Sequence, residues 1–492
     1  MINKEQQIKN SFIYLVPTII GNLLPIITLP IFTRILTKED YGILALASLY
    51  AIFASGLANF GLIVGYERNF FQYKDKKKTA ELLYSTLAFV GVSFLIFAIL
   101  TYFFKGHFSK WIIGSIDYAN ILFWAYCATA VASFKNYYLT YFKNTENAKA
   151  FVWYTIDETA LGIIFSLFMV AYLRIGVIGL IWGQLFASLI ILSILSIKFL
   201  KVLPVSFNLK TLGDSLRISY PLTPRIFLGV ANTQFDKYII RLLNSVGGVG
   251  IYSIGQRIAS LVFSYMTAIQ NVFNPQIYNM MFNLKEKGKE AVGKYLTPFA
   301  YISIAIALLV ALFSEEVISI LTPKSYHEAI PVIAILSMYY GFLFFGKING
   351  TQLIFMKKTH ITSLLTIWTI GLNIGLTIPF IIKFGVIGVA WAMFLAGLIS
   401  GSISFIVAQH YYRIKWEYKK IVPIFLIFFA SSILVIIPKN FFIDYPIRLL
   451  LKLGFLVSYS YLGIKIKVIT WEHYKSVRDI VLFKRTAFFQ AS

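Results

Sequence analysis

GVIGLIWGQLFASLI occupies residues 176–190, and GVIGVAWAMFLAGLI occupies residues 385–399. Eight of the fifteen aligned positions are identical, and the two stretches begin 209 residues apart. A second pair has nearly the same spacing, with RILTKEDYGI starting at Arg34 and RLLNSVGGVGI starting at Arg241, 207 residues later. Because two different sequence patterns each recur after nearly the same number of residues, we predict that the chain contains two homologous halves.

The composition indicates a membrane protein. Hydrophobic residues make up 58% of the chain and charged residues 13%, whereas a soluble domain has about 25% charged residues. Apolar runs of about 20 residues recur along the whole length, and each is long enough to cross a bilayer. We therefore predict an all-α polytopic membrane protein, because the strands of a transmembrane barrel would alternate in polarity.

Fourteen transmembrane helices are predicted. We expect the first to be retained and not cleaved as a signal peptide, because its apolar stretch is too long for one. The first twelve form two six-helix lobes, at 1–205 and 206–412, and the last two lie in 413–470, before a tail at 471–492. Six is an even number, so the lobes form a parallel repeat. The spans are placed at 11–33, 41–65, 79–104, 117–141, 149–173, 175–197, 218–240, 247–273, 296–321, 328–355, 360–382, 384–408, 421–438 and 446–464.

The basic residues predict the orientation of the chain. There are 45 Lys and Arg against 21 Asp and Glu, a net charge of +24. The excess falls on alternate loops, which places both termini and the tail on the cytoplasmic side. The charges are dispersed along the chain, so a nucleic-acid partner is not expected. Cys127 is the single cysteine, which rules out an internal disulfide.

Charged residues inside the predicted spans are the candidate functional residues, because each costs about 2.5–3.5 kcal/mol at mid-bilayer. Spacing in the seventh span puts Arg225, Asn232 and Asp236 on one helix face, where they meet a partner helix or a watery cavity. The candidates for a cationic, substrate-binding cavity are Arg225, Arg257, Lys347, Lys135 and Asn232. The candidates for coupling-ion binding or ion pairing are Asp236, Asp157 and Glu158, with an ion pair to Lys135 as the alternative for the last two.

Three further arginines lie near the ends of spans: Arg34, Arg68 and Arg241. They are added to the candidates, although basic side chains at such positions also snorkel to the interface without any other role. The small-residue pairs Gly179–Gly183 and Gly397–Gly401 are predicted to pack helices closely.

Catalytic and nucleotide-binding signatures are missing. GFLFFGKI at 341–348 approaches a phosphate-binding loop, but Ile348 replaces the required hydroxyl and no strand precedes it. The five histidines are scattered without ligand spacing, so we expect no metal, no cofactor and no catalytic site. Any transport would be driven by an ion gradient, the membrane potential or the substrate gradient, and not by ATP.

The stretch LPIFTRILTKEDYGILAL at residues 29–46 resembles the opening of bacterial polysaccharide-transport (Wzx-type) flippases. These belong to the multidrug/oligosaccharidyl-lipid/polysaccharide exporter (MOP) superfamily. The repeated glycine motif, the two six-helix lobes and the two extra spans are similar to that family over essentially the whole chain. The resemblance implies a V-shaped protein that flips undecaprenyl-pyrophosphate-linked oligosaccharide to the outer leaflet of the bacterial cytoplasmic membrane, for O-antigen or capsule.

The resemblance also implies partners, and two alternative functions stay open. Lipid-linked oligosaccharide and membrane lipids are the expected partners, with a polysaccharide polymerase and a chain-length regulator as further ones. The family's cationic cavity is matched here by location, through the basic candidates given above, and not by a shared motif. The alternatives are a multidrug or cation antiporter, which would line its cavity with acidic residues, and a flippase for lipid-linked peptidoglycan precursor.

Overall fold

The computed structural model describes residues 20–21, 23–73, 75–436 and 444–468. Within these ranges the chain is helical and contains no β-strand. Short π and 3₁₀ turns connect some of the helices. The helices are α1 (Leu29–Ile35), α2 (Lys38–Asn59), α3 (Leu62–Gln72), α4 (Lys76–Ile112), α5 (Ala119–Asn144), α6 (Ala148–Leu167), α7 (Val177–Val202), α8 (Leu209–Ser219), α9 (Thr223–Leu243), α10 (Val246–Asn283), α11 (Lys285–Leu312), α12 (Ser314–Leu321), α13 (Ala329–Phe355), α14 (Thr359–Tyr411), α15 (Tyr418–Ile436) and α16 (Tyr445–Lys465).

The prediction of an all-α polytopic membrane protein is confirmed. Nine helical segments of the described chain are long and apolar enough to cross a bilayer, and one of them, in α14, covers two predicted spans. Helices α5, α9 and α15 coincide with three more predicted spans. Most of the first predicted span lies outside the described residues, so the count of fourteen stays a prediction.

The repeated glycine motif breaks the helical path at the same point in both copies. Gly176 has φ +67° and ψ −147°, and Gly385 has φ +61° and ψ −143°. This backbone region is essentially restricted to glycine. Gly176 therefore starts α7, and Gly385 bends α14 in the middle of its 53 residues. The first residue of the motif is the same in both copies because no other residue adopts this turn without strain.

The small residues of the motif pack against neighbouring helices, as predicted. A Cβ atom on Gly183 would collide with Ser166. A Cβ on Gly397 would collide with the ring of Tyr339. Close approach of this kind allows dispersion contacts along the whole helix, which is how helices associate in lipid.

The TKEDYG segment starts α2 by satisfying its free backbone donors. The Asp40 backbone N–H donates to the Thr37 hydroxyl over 3.1 Å, and the Asp40 carboxylate accepts from the Thr37 N–H over 2.9 Å. This reciprocal pair is a capping box. Tyr41 then packs edge-on against Tyr326 with ring centroids 5.9 Å apart. The segment that resembles the flippase opening thus fixes where α2 begins.

The two halves of the sequence repeat meet at equivalent glycines. A Cβ on Gly42 of α2 would collide with the carbonyl of Val246 in α10. A Cβ on Gly250 of α10 would collide with the carbonyl of Lys38 and lie 3.0 Å from the Gly42 nitrogen. These glycines open corresponding spans of the two halves, so the start of α2 and the start of α10 are in direct backbone contact.

Contacts divide the chain into two compact units. The first unit holds the described residues up to Arg257 with Ile318–Ala329 and Thr377–Val389. The second unit holds Ile258–Val317, Ile330–Leu376 and the described residues from Ala390 onward. The predicted boundaries after residues 205 and 412 follow the sequence repeat and stay a prediction, and the tail at 471–492 lies outside the described residues.

In the second unit, α16 is held by partly buried ion pairs whose members were not among the sequence candidates. Lys452 Nζ lies 3.0 Å from Glu315 and 2.7 Å from Glu316, and Arg448 lies 2.6 Å from Glu315. The Lys452 side chain is only 5% exposed. Each charge is therefore compensated by a partner and not by water.

We predict that Gly42→Ala lowers the free energy of unfolding by about 1–3 kcal/mol, because the new methyl group overpacks the contact with α10. Thermal unfolding in detergent measures this. Gly56→Ala is the matched control, since Gly56 lies in the same helix and a methyl group added there would have no atom within 4 Å. Equal unfolding temperatures for the two variants would contradict the close α2–α10 contact.

We predict that Lys452→Met costs about 3 kcal/mol, because it removes the cation that pairs with Glu316 and leaves Glu315 with Arg448 alone. Lys294→Met is the control, since Lys294 forms a solvent-exposed i,i+4 pair with Glu290, and such pairs contribute little. Both are compared by thermal unfolding. A Lys452→Met protein as stable as the control would show that the cluster does not hold α16.

Candidate functional site

A polar cavity of about 410 Å³ lies within the first unit. This volume falls in the range of small-molecule sites, about 300–1,000 Å³. We call it the polar cavity. Its walls come from residues 21–32, from α2, α5, α6 and α7, and from one residue of α10. The polar side chains in these walls are Thr28, Tyr41, Ser48, Thr129, Glu158, Thr159, Ser166, Gln184, Ser188 and Arg257.

Glu158 is the acidic residue among the described residues of the wall, and both of its carboxylate oxygens have partners. One carboxylate oxygen forms an ion pair with Lys135, whose side chain is only 3% exposed. The other oxygen accepts a hydrogen bond of 2.6 Å from the Ser188 hydroxyl. The alternative raised from the sequence, an ion pair with Lys135, is therefore present for Glu158. Because the pair is neutral overall, Glu158 adds no net negative charge to the cavity.

Arg257 brings a permanent positive charge to the same wall. It is exposed and lies on α10, two turns after the contact at Gly250. A guanidinium stays protonated and carries five donors in a planar fork. It therefore suits a bidentate contact with phosphate or carboxylate oxygens.

A second group of charges lies in the C-terminal half of α9. Asp236 is buried and accepts a hydrogen bond of 3.0 Å from the Tyr252 hydroxyl. Its neighbour Lys237, half-buried, donates to Gln234 over 3.0 Å. Arg257 is close enough to act electrostatically on Lys237. Asp236 and Arg257 thus belong to one charged region of the first unit.

The sequence candidates are not all gathered at the polar cavity. Arg225 and Asn232 belong to α9, but their side chains lie outside the described residues. Asp157 is exposed and does not line the cavity. Lys347 belongs to the second unit, where its ammonium lies 4.9 Å from the centre of the Phe263 ring, a cation–π contact. A role for these residues in substrate binding stays a prediction.

The three arginines at the span ends donate hydrogen bonds to backbone carbonyl or side-chain amide oxygens. Arg34 donates to the Pro30 carbonyl over 2.6 Å, and Arg68 donates to the Asn69 amide oxygen over 2.8 Å. Arg241 donates to the Lys110 carbonyl over 3.0 Å. None of the three lines the polar cavity.

Of the polar residues in the cavity wall, sequence reasoning selected Glu158 and Arg257 as candidates, and the residues that it missed include Gln184 and Ser188. Both lie in the repeated motif, which was assigned to packing alone. The second copy has Met393 and Gly397 at these positions. The sequence signal for these wall residues was therefore a polar residue in the first copy of the motif at a position where the second copy has an apolar residue or glycine. Lys237 was also missed, although it directly follows Asp236 inside a predicted span.

Comparison with known proteins identifies the family. Residues 8–281, more than half of the chain, match the polysaccharide biosynthesis protein family. A curated relative is the probable low-salt glycan biosynthesis flippase Agl15 of Haloferax volcanii, 22% identical over 198 residues, which are 39% of this chain. The match spans only 41% of the length of that relative.

Solved structures share the fold at low sequence identity. The lipid II flippase MurJ in an inward closed conformation matches with a TM-score of 0.70 at 18% identity, covering 94% of this chain and all of MurJ. An inward-facing multidrug resistance MATE transporter of the MOP superfamily matches with a TM-score of 0.59 at 14% identity, covering 82% of this chain and 94% of its own. A MOP superfamily transporter from Pyrococcus furiosus, described as having a binding pocket of reversed polarity, matches with a TM-score of 0.56 at 15% identity, covering 83% of this chain and 98% of its own.

These likenesses show a common architecture, and the family match extends through the residues that build the polar cavity. The capped start of α2, the glycine-opened α7 and the cavity wall from Tyr41 to Arg257 all lie within the matched range. The chain therefore belongs to the polysaccharide biosynthesis protein family, and it has the helical membrane fold that MurJ and the multidrug transporters of the MOP superfamily also have.

Proposed function

We propose that this protein is a flippase for lipid-linked oligosaccharide. Its substrate is undecaprenyl pyrophosphate carrying a sugar repeat unit, moved from the inner to the outer leaflet of the bacterial cytoplasmic membrane for O-antigen or capsule synthesis. The observation that carries the proposal is a polar cavity, walled by membrane helices, that includes Arg257 and no uncompensated carboxylate among its described wall residues. The family assignment supports the link to polysaccharide synthesis.

The physical problem is the headgroup. A pyrophosphate with sugars cannot cross about 30 Å of hydrocarbon unaided, because burying an ion in a low-dielectric medium costs far more than thermal energy. A polar cavity replaces water around the headgroup, while the polyprenyl chain stays in the bilayer. Wall side chains such as Ser48 and Gln184 contain both donors and acceptors of hydrogen bonds for sugar hydroxyls.

Arg257 is the proposed contact for the pyrophosphate. Its guanidinium offers paired N–H donors that match phosphate oxygens. The proposed role of Lys135 is to neutralise the charge of Glu158, because an unpaired carboxylate in the wall would repel the pyrophosphate. This arrangement differs from that expected of a cation exporter, which needs uncompensated acidic groups in its cavity.

Transport is proposed to proceed by alternating access. The contact at Gly42 and Gly250 is the proposed point that must separate to release the headgroup on the outer side. Both termini are proposed to be cytoplasmic, and a polysaccharide polymerase and a chain-length regulator are proposed to receive the product. The driving force is proposed to be an ion gradient, the membrane potential or the substrate gradient.

We predict that Arg257→Gln lowers flipping about 10- to 100-fold, the cost of losing a charged hydrogen-bonding partner. The measurement is complementation of a strain that lacks its own O-antigen flippase, scored by surface polysaccharide at equal membrane levels of each variant. Arg257→Lys keeps the charge and retains part of the activity. Lys201→Gln, an exposed basic residue of α7 outside the cavity, is the matched control.

Other results of this experiment would assign the chain elsewhere. Rescue of a strain depleted of its lipid II flippase, without surface polysaccharide, would favour peptidoglycan precursor as the substrate. Resistance to cationic drugs without either rescue would favour the multidrug exporter. Full activity of Arg257→Gln would remove Arg257 from the proposed mechanism.

We predict that Lys135→Met impairs both stability and flipping, because Glu158 is left as an unpaired charge, at a cost of about 3–5 kcal/mol. Lys135→Met combined with Glu158→Gln should recover both, since it replaces the ion pair with neutral groups. Thermal unfolding and complementation are measured on the same variants. A double variant that is stable but inactive would show that the Glu158 carboxylate is itself required, as a coupling-ion site would be.

A further inference from the structure

A second cavity of about 430 Å³ lies in the first unit, between α2, α4 and α9. We call it the apolar cavity. Its walls include Phe53 and Leu57 from α2, Phe97 and Leu100 from α4, and Phe235 from α9. The hydroxyls of Tyr50 and Thr101, also in its wall, hydrogen-bond to each other over 2.7 Å. These two polar groups are therefore satisfied without water.

The size and polarity of the apolar cavity suit a hydrocarbon ligand. An apolar cavity of about 150 Å³ stays dry and binds benzene, and this one is nearly three times larger. Among the described residues, the two cavities share no wall residue. The proposed headgroup path and the apolar cavity are thus separate features of the first unit.

The apolar cavity borders a helix face that is exposed and hydrophobic. On α4, a candidate membrane span, Leu95 is 65% exposed and Phe103 is 74% exposed. Leu100 is 44% exposed and also lines the cavity. In a bilayer this face of α4 is covered by lipid chains, so the hydrocarbon nearest to the cavity is that of a lipid.

One end of the apolar cavity carries aromatic and basic groups. Trp111 and Tyr238, both in the wall, have ring centroids 6.0 Å apart. Arg241, one helical turn after Tyr238, donates to the carbonyl of Lys110, the residue before Trp111. Trp, Tyr, Arg and Lys gather at the membrane–water interface. This end of the cavity therefore has the composition of a membrane–water interface.

We propose that the apolar cavity binds one chain of an anionic phospholipid, and that Arg241 and Lys110 bind its phosphate headgroup. Hydrocarbon fills the space between α2, α4 and α9, and the two basic residues supply charge complementarity to the phosphate. In this proposal Arg241 contacts a membrane lipid and does not bind the transported substrate. The bound lipid stabilises the folded protein in proportion to its occupancy.

Native mass spectrometry of the full-length protein in detergent tests the proposal, with phosphatidylglycerol and phosphatidylcholine as the probes. The wild-type protein should retain one phosphatidylglycerol, with about tenfold higher affinity than for phosphatidylcholine. Leu57→Trp fills the cavity and should reduce the binding of both lipids about tenfold or more. Arg241→Gln should reduce the preference for phosphatidylglycerol, because it removes one of the two positive charges that favour a net anionic headgroup, and should weaken the binding of phosphatidylcholine less.

Leu95→Trp is the matched control, because Leu95 lies on the exposed face of α4 outside the cavity, and it should bind lipid like the wild type. Leu100→Trp is a second filling variant at a partly exposed position, used if Leu57→Trp is not monodisperse. Undiminished binding of phosphatidylglycerol in a folded filling variant would overturn the proposal. Retention of a polyprenyl phosphate probe in place of phosphatidylglycerol would overturn it too, because the cavity would then hold the substrate chain.

Discussion

The direct backbone contact between α2 and α10 determines where the functional groups lie. Gly42 and Gly250 allow the two helices to touch without side chains between them. Arg257 follows Gly250 by seven residues, or about 10 Å along the helix. On α2, Tyr41 directly precedes Gly42, and Ser48 follows Gly42 by six residues. Arg257 thus reaches the cavity wall that Tyr41 and Ser48 help to form, and a larger residue at either glycine would change that register.

Charge in this membrane protein is placed by pairing. Lys135 and Glu158 neutralise each other in the wall of the polar cavity, and Lys452 of α16 pairs with Glu315 and Glu316. A buried ion is tolerated only with a partner at hydrogen-bonding distance. The ion pairs therefore have structural roles. Arg257 is exposed and lines the polar cavity. Function in such a protein depends on which charges are accessible to a ligand and which are buried against each other.

The repeated motif carries more than one kind of information. Gly176 and Gly385 set a turn that only glycine adopts easily, and Gly183 packs against Ser166. Positions 184 and 188, where the first copy is polar and the second is not, line the polar cavity. The shared positions of a repeat encode architecture, and the differing positions are where the two halves acquire separate chemistry.

Short stretches of sequence predicted the helical membrane class, the positions of most helices and the close packing of Gly183 and Gly397. They also identified the charged residues inside predicted spans as functional candidates. These follow from chain composition, apolar length and the cost of charge in hydrocarbon, all of which are properties of consecutive residues. Helical spacing also placed polar residues of one span on a common face.

Only the tertiary structure decided which candidates meet. Glu158 and Lys135 are 23 positions apart, and Lys452 is 137 positions from Glu315, so no periodicity within one helix relates them. The same holds for Arg257, which joins a wall built from α2, α5, α6 and α7. The sequence by itself determined what each helix is and which residues are costly in a membrane. Which charged residues form ion pairs and which line a cavity depends on helix-to-helix register, which is a property of pairs of distant segments.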